Sequence, residues 1–411
     1  MLPSINSQRL WRSLMDLAKI GATERGGVRR LALTRLDGQA RDLFIEWCKA
    51  AGCEVSIDAI GNIFARRAGR DAALPPVMTG SHIDTQPSGG KFDGNYGILA
   101  GLEIVRTLAD HDIHTQAPLE VAVWTNEEGS RFTPVMMGSG VFIGAFSLED
   151  TLKRTDIDGV SVAQALADIG YAGATRIGAR PIGAYFEAHI EQGPILEDEQ
   201  TVLGVVTGAL GLRWYDVVVA GQDAHAGPTP MRLRKDAMLA SARIVAEVNA
   251  LAYRYQPNGR GTVGFMQVKP NSRNVIPGEV RFSVDLRHAD DAQLEQMENE
   301  MRASCAQAAE AERCSATVER VANYPACQFD SSCVAAVREA AKKLGLTHMD
   351  IVSGAGHDAI YMARVCPVSM IFVPCEGGIS HNEIENAQPE HLAAGCNVLL
   401  QVMLERAGIS H

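Results

Sequence analysis

The chain has 411 residues, 46% of them apolar and 21% charged, with a formal net charge of −11 and no apolar stretch long enough to span a bilayer. That balance describes a soluble globular protein of about two domains and argues against nucleic acid or an anionic membrane as a partner. Its nine cysteines are scattered with no C-x-x-C pair, as expected of thiols kept reduced in the cytoplasm and not of a disulfide framework or zinc knuckle.

The first element is "MLPSINSQRLWRSLMDLAKIG". Leu10, Leu14 and Leu17 recur at helical spacing with charges between them, which predicts an amphipathic helix and not the unbroken apolar core of a signal peptide. From Pro75, "PPVMTGSHIDTQPSGGKFDGNYGILAGLE" climbs to Val77 and Met78, breaks into His82 and Asp84, and crosses a glycine-rich loop holding Asp93 before a helical pattern begins. No G-x-G-x-x-G or G-K-[ST] phosphate loop is present, so metal binding is the reading to test. "LEVAVWTNEEG" ends in Asn126, Glu127 and Glu128, and "GAYFEAHIEQG" ends around His189, Glu191 and Gln192. After Ser331 the same texture returns in "PVSMIFVPCEGGISHNE", which carries His381. Apolar strands that release polar residues at their C-terminal ends predict an open α/β sheet with helices on both faces. Its reactive site gathers outside the carboxyl ends of the strands.

Between these halves the texture changes. "RWYDVVVAG", a helical stretch to "ALAYRY", "GTVGFMQVKP", "EVRFSVDLRH", a helix led by Asp290 and "SATVERVANY" read as βαββαβ. In "EVRFSVDLRH" Val280, Phe282, Val284 and Leu286 alternate with Arg281, Ser283, Asp285 and Arg287, so one face is packed and the other polar. This predicts an α+β sandwich at 213–328, inserted into a catalytic domain formed by 1–212 and 329–411. A sheet covered on one face suits a dimer surface or a lid.

Each polar candidate has an ordinary reading when taken alone. Asp93 could cap the following helix, Glu127 and Glu128 could be a solvated pair, and His189 and His381 could be core histidines. Arg287 could form a surface ion pair with Asp285, and His225 could be a turn residue. Together, His82, Asp93, Glu127, Glu128, His189 and His381 all follow apolar runs, which places them on one rim. The two-residue step from His82 to Asp84 predicts that the Asp84 carboxylate holds the second ring nitrogen of His82. Imidazoles and carboxylates without a thiolate suit Zn, Mn, Co or Ni with open positions.

The stretches "GSHIDTQPSGGKFDGNYGILAGLE", "NEEGSRF", "HIEQGPILE", "GQDAHAGPTPM", "NVIPG", "VDLRH", "SGAGHDA" and "GISHNE" resemble the hydantoinase/carbamoylase family of binuclear metallo-amidohydrolases, in the aminoacylase/carboxypeptidase superfamily. The resemblance implies two divalent ions per chain, one held by His82, Asp93 and His189 and the other by Asp93, Glu128 and His381. It implies Glu127 as general base, and Gln192, Asn274 and Arg287 as grips on the substrate's amide and carboxylate. His225 would polarise the carbonyl from the partner subunit of a homodimer formed through 213–328, and Gly356 and His357 would line the pocket through their backbone. The implied reaction splits the ureido group of an N-carbamoyl-L-amino acid, with allantoate and β-ureidopropionate as alternative substrates. A dipeptidase or aminoacylase would carry a carboxylate at His189, and a binding protein on the same fold would have lost a ligand. Two departures from the family pattern, Gln86 after "HIDT" and a missing proline in "HNEIE", fall at the pocket rim.

Overall fold

The computed structural model describes residues 3–178 and 180–410. It divides into two units, Met1–Thr207 with Phe329–His411, and Gly208–Gln328. The first boundary falls at Gly208, before the 213 read from sequence. Leu203–Ala209 and Gly211–Ala220 are consecutive strands separated by Leu210 alone, so no loop marks the crossing.

The larger unit is built on a mixed sheet. Its strands run in the order Glu54–Ile57, Ile63–Arg67, Leu119–Trp124, Val77–His82, Ala184–Ile190, Val368–Val373 and Leu203–Ala209. The four central ones, from Leu119–Trp124 to Val368–Val373, are mutually parallel, and each is buried along its whole length. Burial on both faces explains why these strands read as mostly apolar runs and not as regular alternation. Helices Asn95–Asp110, Ser331–Lys343 and Pro389–Ala407 pack on the central strands, and Ser7–Ala18 packs on the first and third of them. Leu10, Leu14 and Leu17 are the buried stripe of Ser7–Ala18, as its spacing predicts. The short helices Met137–Phe142 and Asp358–Met362 pack on each other and on the same sheet. The chain leaves this unit at Thr207 and returns at Phe329, whose N–H donates to the Thr207 carbonyl at 3.0 Å.

The smaller unit is an antiparallel sheet ordered Arg260–Thr262, Glu279–His288, Gly211–Ala220, Ser315–Tyr324, with Met266–Lys269 also paired to Glu279–His288. Tyr215, Val217, Val219, Val280, Phe282, Val284 and Leu286 are buried against Ile244, Val248 and Leu251 of helix Ala237–Arg254 and Leu294, Met297 and Met301 of helix Asp291–Ala311. Asp290 caps the latter helix, accepting from the backbone of Ala292 and Gln293. The alternate residues, Trp214, Asp285 and Arg287 among them, lie on the face without helices.

Candidate metal centre and active site

Strand ends on one rim carry the candidate residues. His82 ends Val77–His82 and pairs in register with Trp124, whose strand runs on into Glu127 and Glu128. His189 lies opposite Phe372, and the chain beyond Val373 leads to His381. Asp93 sits in the glycine loop before helix Asn95–Asp110. That helix starts without a side-chain cap, so the Asp93 carboxylate is left to the site. Gly94 (φ +66°) precedes it closely: a Cβ there would lie 2.4 Å from the His82 ring, so a side chain would displace the imidazole.

Asp93 Oδ1 is 3.5 Å from His82 Nε2 and 3.1 Å from His189 Nε2. Its other oxygen, Oδ2, is 3.3 Å from His381 Nε2, which in turn is 3.4 Å from Glu128 Oε2. Two triads result, His82–Asp93–His189 and Asp93–Glu128–His381, each with ligand atoms within 4.8 Å of one another. Asp93 offers one oxygen to each. Glu187, His189 and His357 also lie within this range. Glu187 already accepts from Ser81, Tyr185 and the Ala359 N–H, however, and His189 Nε2 already faces Asp93.

The two buried imidazoles are held in one tautomer. His82 Nδ1 lies 2.8 Å from the Asp84 carbonyl oxygen and His189 Nδ1 2.8 Å from that of Ile190. A carbonyl only accepts, so Nδ1 carries the proton and Nε2 is left to ligate. This corrects the expected role of Asp84. Its main chain, and not its carboxylate, holds the ring, because the strand ends at His82 and the chain bends away before Asp84. The Asp84 carboxylate instead accepts from the backbone N–H groups of Glu127 and Glu128, both at 3.3 Å, and so shapes the turn that presents them. Asn126 (φ +53°) forms that turn and ties it down by donating its side-chain amide to the Phe132 and Pro134 carbonyls.

The electrostatics are those of crowded acids. Burial, opposed by His82 but reinforced by Asp358 and Glu128, holds Glu127 well above the usual carboxylate range. Burial and Asp93 push Glu128 up to about 7. For Asp93 burial acts the same way, but His189, His381 and His82 outweigh it and hold the acid well below its ordinary value. Imidazoles, carboxylates and no thiolate form a donor set that fits divalent ions of borderline softness, and such ions would relieve the repulsion among the acids. Glu127 Oε2 lies 3.6 Å from His82 Nε2 and belongs to neither triad.

The surrounding pocket, of about 160 Å³, is lined also by Gln86, Val135, Met136, Gln192, Gly356 and His357. Gln192 and His381 both adopt left-handed backbone (φ +58° and +54°), a strain that clusters at working sites. Gln192 Nε2 donates to Asp93 Oδ2 at 2.9 Å, and its buried Oε1 has no partner among the described residues. His357 meets the site through its ring and not its backbone alone. The ring packs edge-on against His189 at 4.6 Å, with Nε2 3.0 Å from Ser353 Oγ. Burial and the neighbouring His189 keep it neutral, its pKa well below the ordinary value.

Within the smaller unit, His225 and Asn274 lie close together. His225 on Ala224–His225 pairs with Val275, and the Ala226 N–H donates to the Asn274 carbonyl at 2.8 Å. Arg287 is on a different strand and grips Asp285, Nη2 to Oδ2 at 2.8 Å, which is the ion pair that its sequence position also allows. Sequence reading left two contributors without a role. Gln86 donates to Glu128 Oε2 at 2.7 Å while accepting from Ser130, and Glu385 lies beneath Asp93.

The sequence profile of Peptidase family M20/M25/M40 matches residues 78–405, the span that holds every one of these ligands. The chain belongs to this family. The M20/M25/M40 relatives include an N-carbamoyl-L-amino-acid amidohydrolase of Rhizobium meliloti, 48% identical over 405 residues, 98% of this chain and 97% of the relative. An allantoate amidohydrolase of Bacillus subtilis is 36% identical over 393 residues, 95% of each chain. A crystal structure of a hydantoinase/carbamoylase family amidase from Burkholderia multivorans superposes with a TM-score of 0.96 at 57% identity, covering 98% of each chain. The chain is thus an M20 hydrolase of the hydantoinase/carbamoylase type, and M20 enzymes depend on metal.

Proposed function

We propose that this chain hydrolyses the ureido C–N bond of N-carbamoyl-L-amino acids, giving the amino acid, CO2 and ammonia, with two divalent ions per chain. The observation that carries this reading is the shared Asp93, one oxygen toward each triad, with Glu127 buried 3.6 Å from His82 and outside both triads. His82, Asp93 and His189 would hold one ion, and Asp93, Glu128 and His381 the other. Ions bound there would polarise the ureido carbonyl and acidify water. Zn is the first choice for this donor set, with Mn, Co or Ni able to serve.

Glu127 is the group that moves protons. As a carboxylate it takes one from the attacking water, and once protonated it delivers that proton to the leaving nitrogen. Asp84 keeps Glu127 and Glu128 aimed at different tasks by fixing the turn between them. Gln192, Gly356 and His357 line the space for the ureido group. Arg287 and Asn274 would bind the substrate carboxylate, the planar guanidinium matching its two oxygens once it exchanges Asp285 for substrate. His225 would act across a homodimer formed through the smaller unit, in the cytoplasm. A dipeptidase reading is disfavoured by the imidazole at His189.

The test is ammonia release from N-carbamoyl-L-amino acids, allantoate and β-ureidopropionate, with a dipeptide as control and metal content measured alongside. The fastest turnover is expected on a carbamoyl amino acid by protein holding two ions. Dipeptide cleavage without ammonia release from any ureido acid would overturn the proposal.

A further inference from the structure

Glu385 is a buried acid just outside the ligand set, with 2% of its surface exposed. Its Oε1 accepts from the backbone N–H groups of Phe92 and Asp93, at 2.9 and 3.1 Å. The other oxygen, Oε2, accepts from Ser380 Oγ at 2.8 Å, and that hydroxyl also lies 3.3 Å from Asp93 Oδ2. One carboxylate therefore grips the main chain of the shared ligand and, through Ser380, the residue immediately before His381. The glycine loop is cut to fit it. A Cβ on Gly90 would fall 2.0 Å from Glu385 Oε1, so the loop that carries Asp93 can close only over a residue without a side chain.

His381 is the ligand most in need of such an anchor. Its side chain is half exposed and its backbone is left-handed, whereas His82 and His189 are buried and held through Nδ1 by strand-end carbonyls. We propose that Glu385 is a positioning residue that keeps the two ion sites in register, fixing Asp93 from below and the His381 loop through Ser380. The proposal rests on the two-ion reading above. It assigns Glu385 no contact with substrate or ions.

The test is titration of metal-stripped protein with Co(II), followed by its visible spectrum and by chelator competition, on the native chain and three variants. The native chain should take two ions. Glu385→Ala should weaken both by about 10–100-fold, the usual effect of removing a partner that orients a ligand. Ser380→Ala should weaken one ion and leave the other at native affinity. Glu385→Gln should recover most of the loss, because its amide oxygen can accept both N–H groups and its NH2 can donate to Ser380 Oγ. If Glu385→Ala does not fold, Ser380→Ala decides the matter, and two ions at native affinity in it would then overturn the role. Two ions at native affinity in both Glu385→Ala and Ser380→Ala would overturn the positioning role alone. A loss in Glu385→Gln as deep as in Glu385→Ala would overturn it too, since charge and not hydrogen bonding would then be at work. Fewer than two ions on the native chain would overturn both this role and the two-ion reading.

Discussion

Asp84→Asn separates two roles for one carboxylate. In the structure the side chain holds the Glu127–Glu128 turn while the carbonyl of the same residue holds His82. An asparagine can accept from one of the two backbone N–H groups, but its NH2 must then face the other, donor against donor. A lost bond to a charged acceptor costs about 1.5–3 kcal/mol, and 3.3 Å places these bonds at the low end. The surviving bond weakens because its acceptor is now neutral. Burial raises the pKa of Asp84, so removing its charge offsets part of the loss. The net expectation is about 2 kcal/mol of stability, read by chemical denaturation. A turn displaced by about 1 Å should lower kcat by roughly 10²-fold. Metal titration gives the decisive readout: the Glu128 triad should weaken, whereas the His82 triad, whose ring keeps the Asp84 carbonyl, should hold its ion at native affinity. Selective loss of the His82-side ion would refute the reasoning and return Asp84 to the role of ring clamp.

Glu127→Gln should retain both ions and lose on the order of 10²–10⁴ in kcat, while Glu128→Gln should lose an ion, as metal analysis beside steady-state kinetics will show. Chelation should abolish turnover, and Zn, Mn, Co or Ni should restore it; full activity in stripped protein would contradict the site. Arg287→Lys keeps the charge but loses the planar fork, so carboxylate substrates should bind about 2–5 kcal/mol more weakly with metal content unchanged, measured as kcat/KM. Mixing inactive Glu127→Gln chains with inactive His225→Ala chains should regenerate activity if His225 serves the partner's site, and verified subunit exchange without recovery would place it elsewhere.

Much of the rim was legible because parallel strands buried on both faces must be apolar to their ends. His82, Glu127, Glu128 and His189 therefore stand out as abrupt breaks in apolar runs. Asp93 was legible for a different reason, as the acid in a glycine loop that leads into a helix. Period-two alternation misplaces the Asp84 carboxylate because it does not hold past the last strand residue, His82. Sequence reading gives His357 only its backbone, since nothing in "SGAGHDA" says that its ring will pack edge-on against a histidine far away in sequence. Glu385 had no signal at all. It sits in a polar loop beside other acids, and its burial depends on Gly90, nearly three hundred residues earlier, leaving room for it. Arg287 shows a further limit, because alternation identifies its face but not whether that face meets Asp285 or a ligand.

The insertion also imposes an order on biosynthesis. Val368–Val373, near the C-terminal end, is a central strand of the large sheet, lying between Ala184–Ile190 and Leu203–Ala209. As the ribosome delivers the chain, the first two hundred residues emerge with a slot in their sheet and an unpaired strand edge beside it, that of Ala184–Ile190. The smaller unit is complete by Gln328 and can close its own core while that slot is still open. Nascent chains halted between Gln328 and Val368 should therefore hold one protease-resistant body and one exposed edge, the place where chaperones or aggregation would act first.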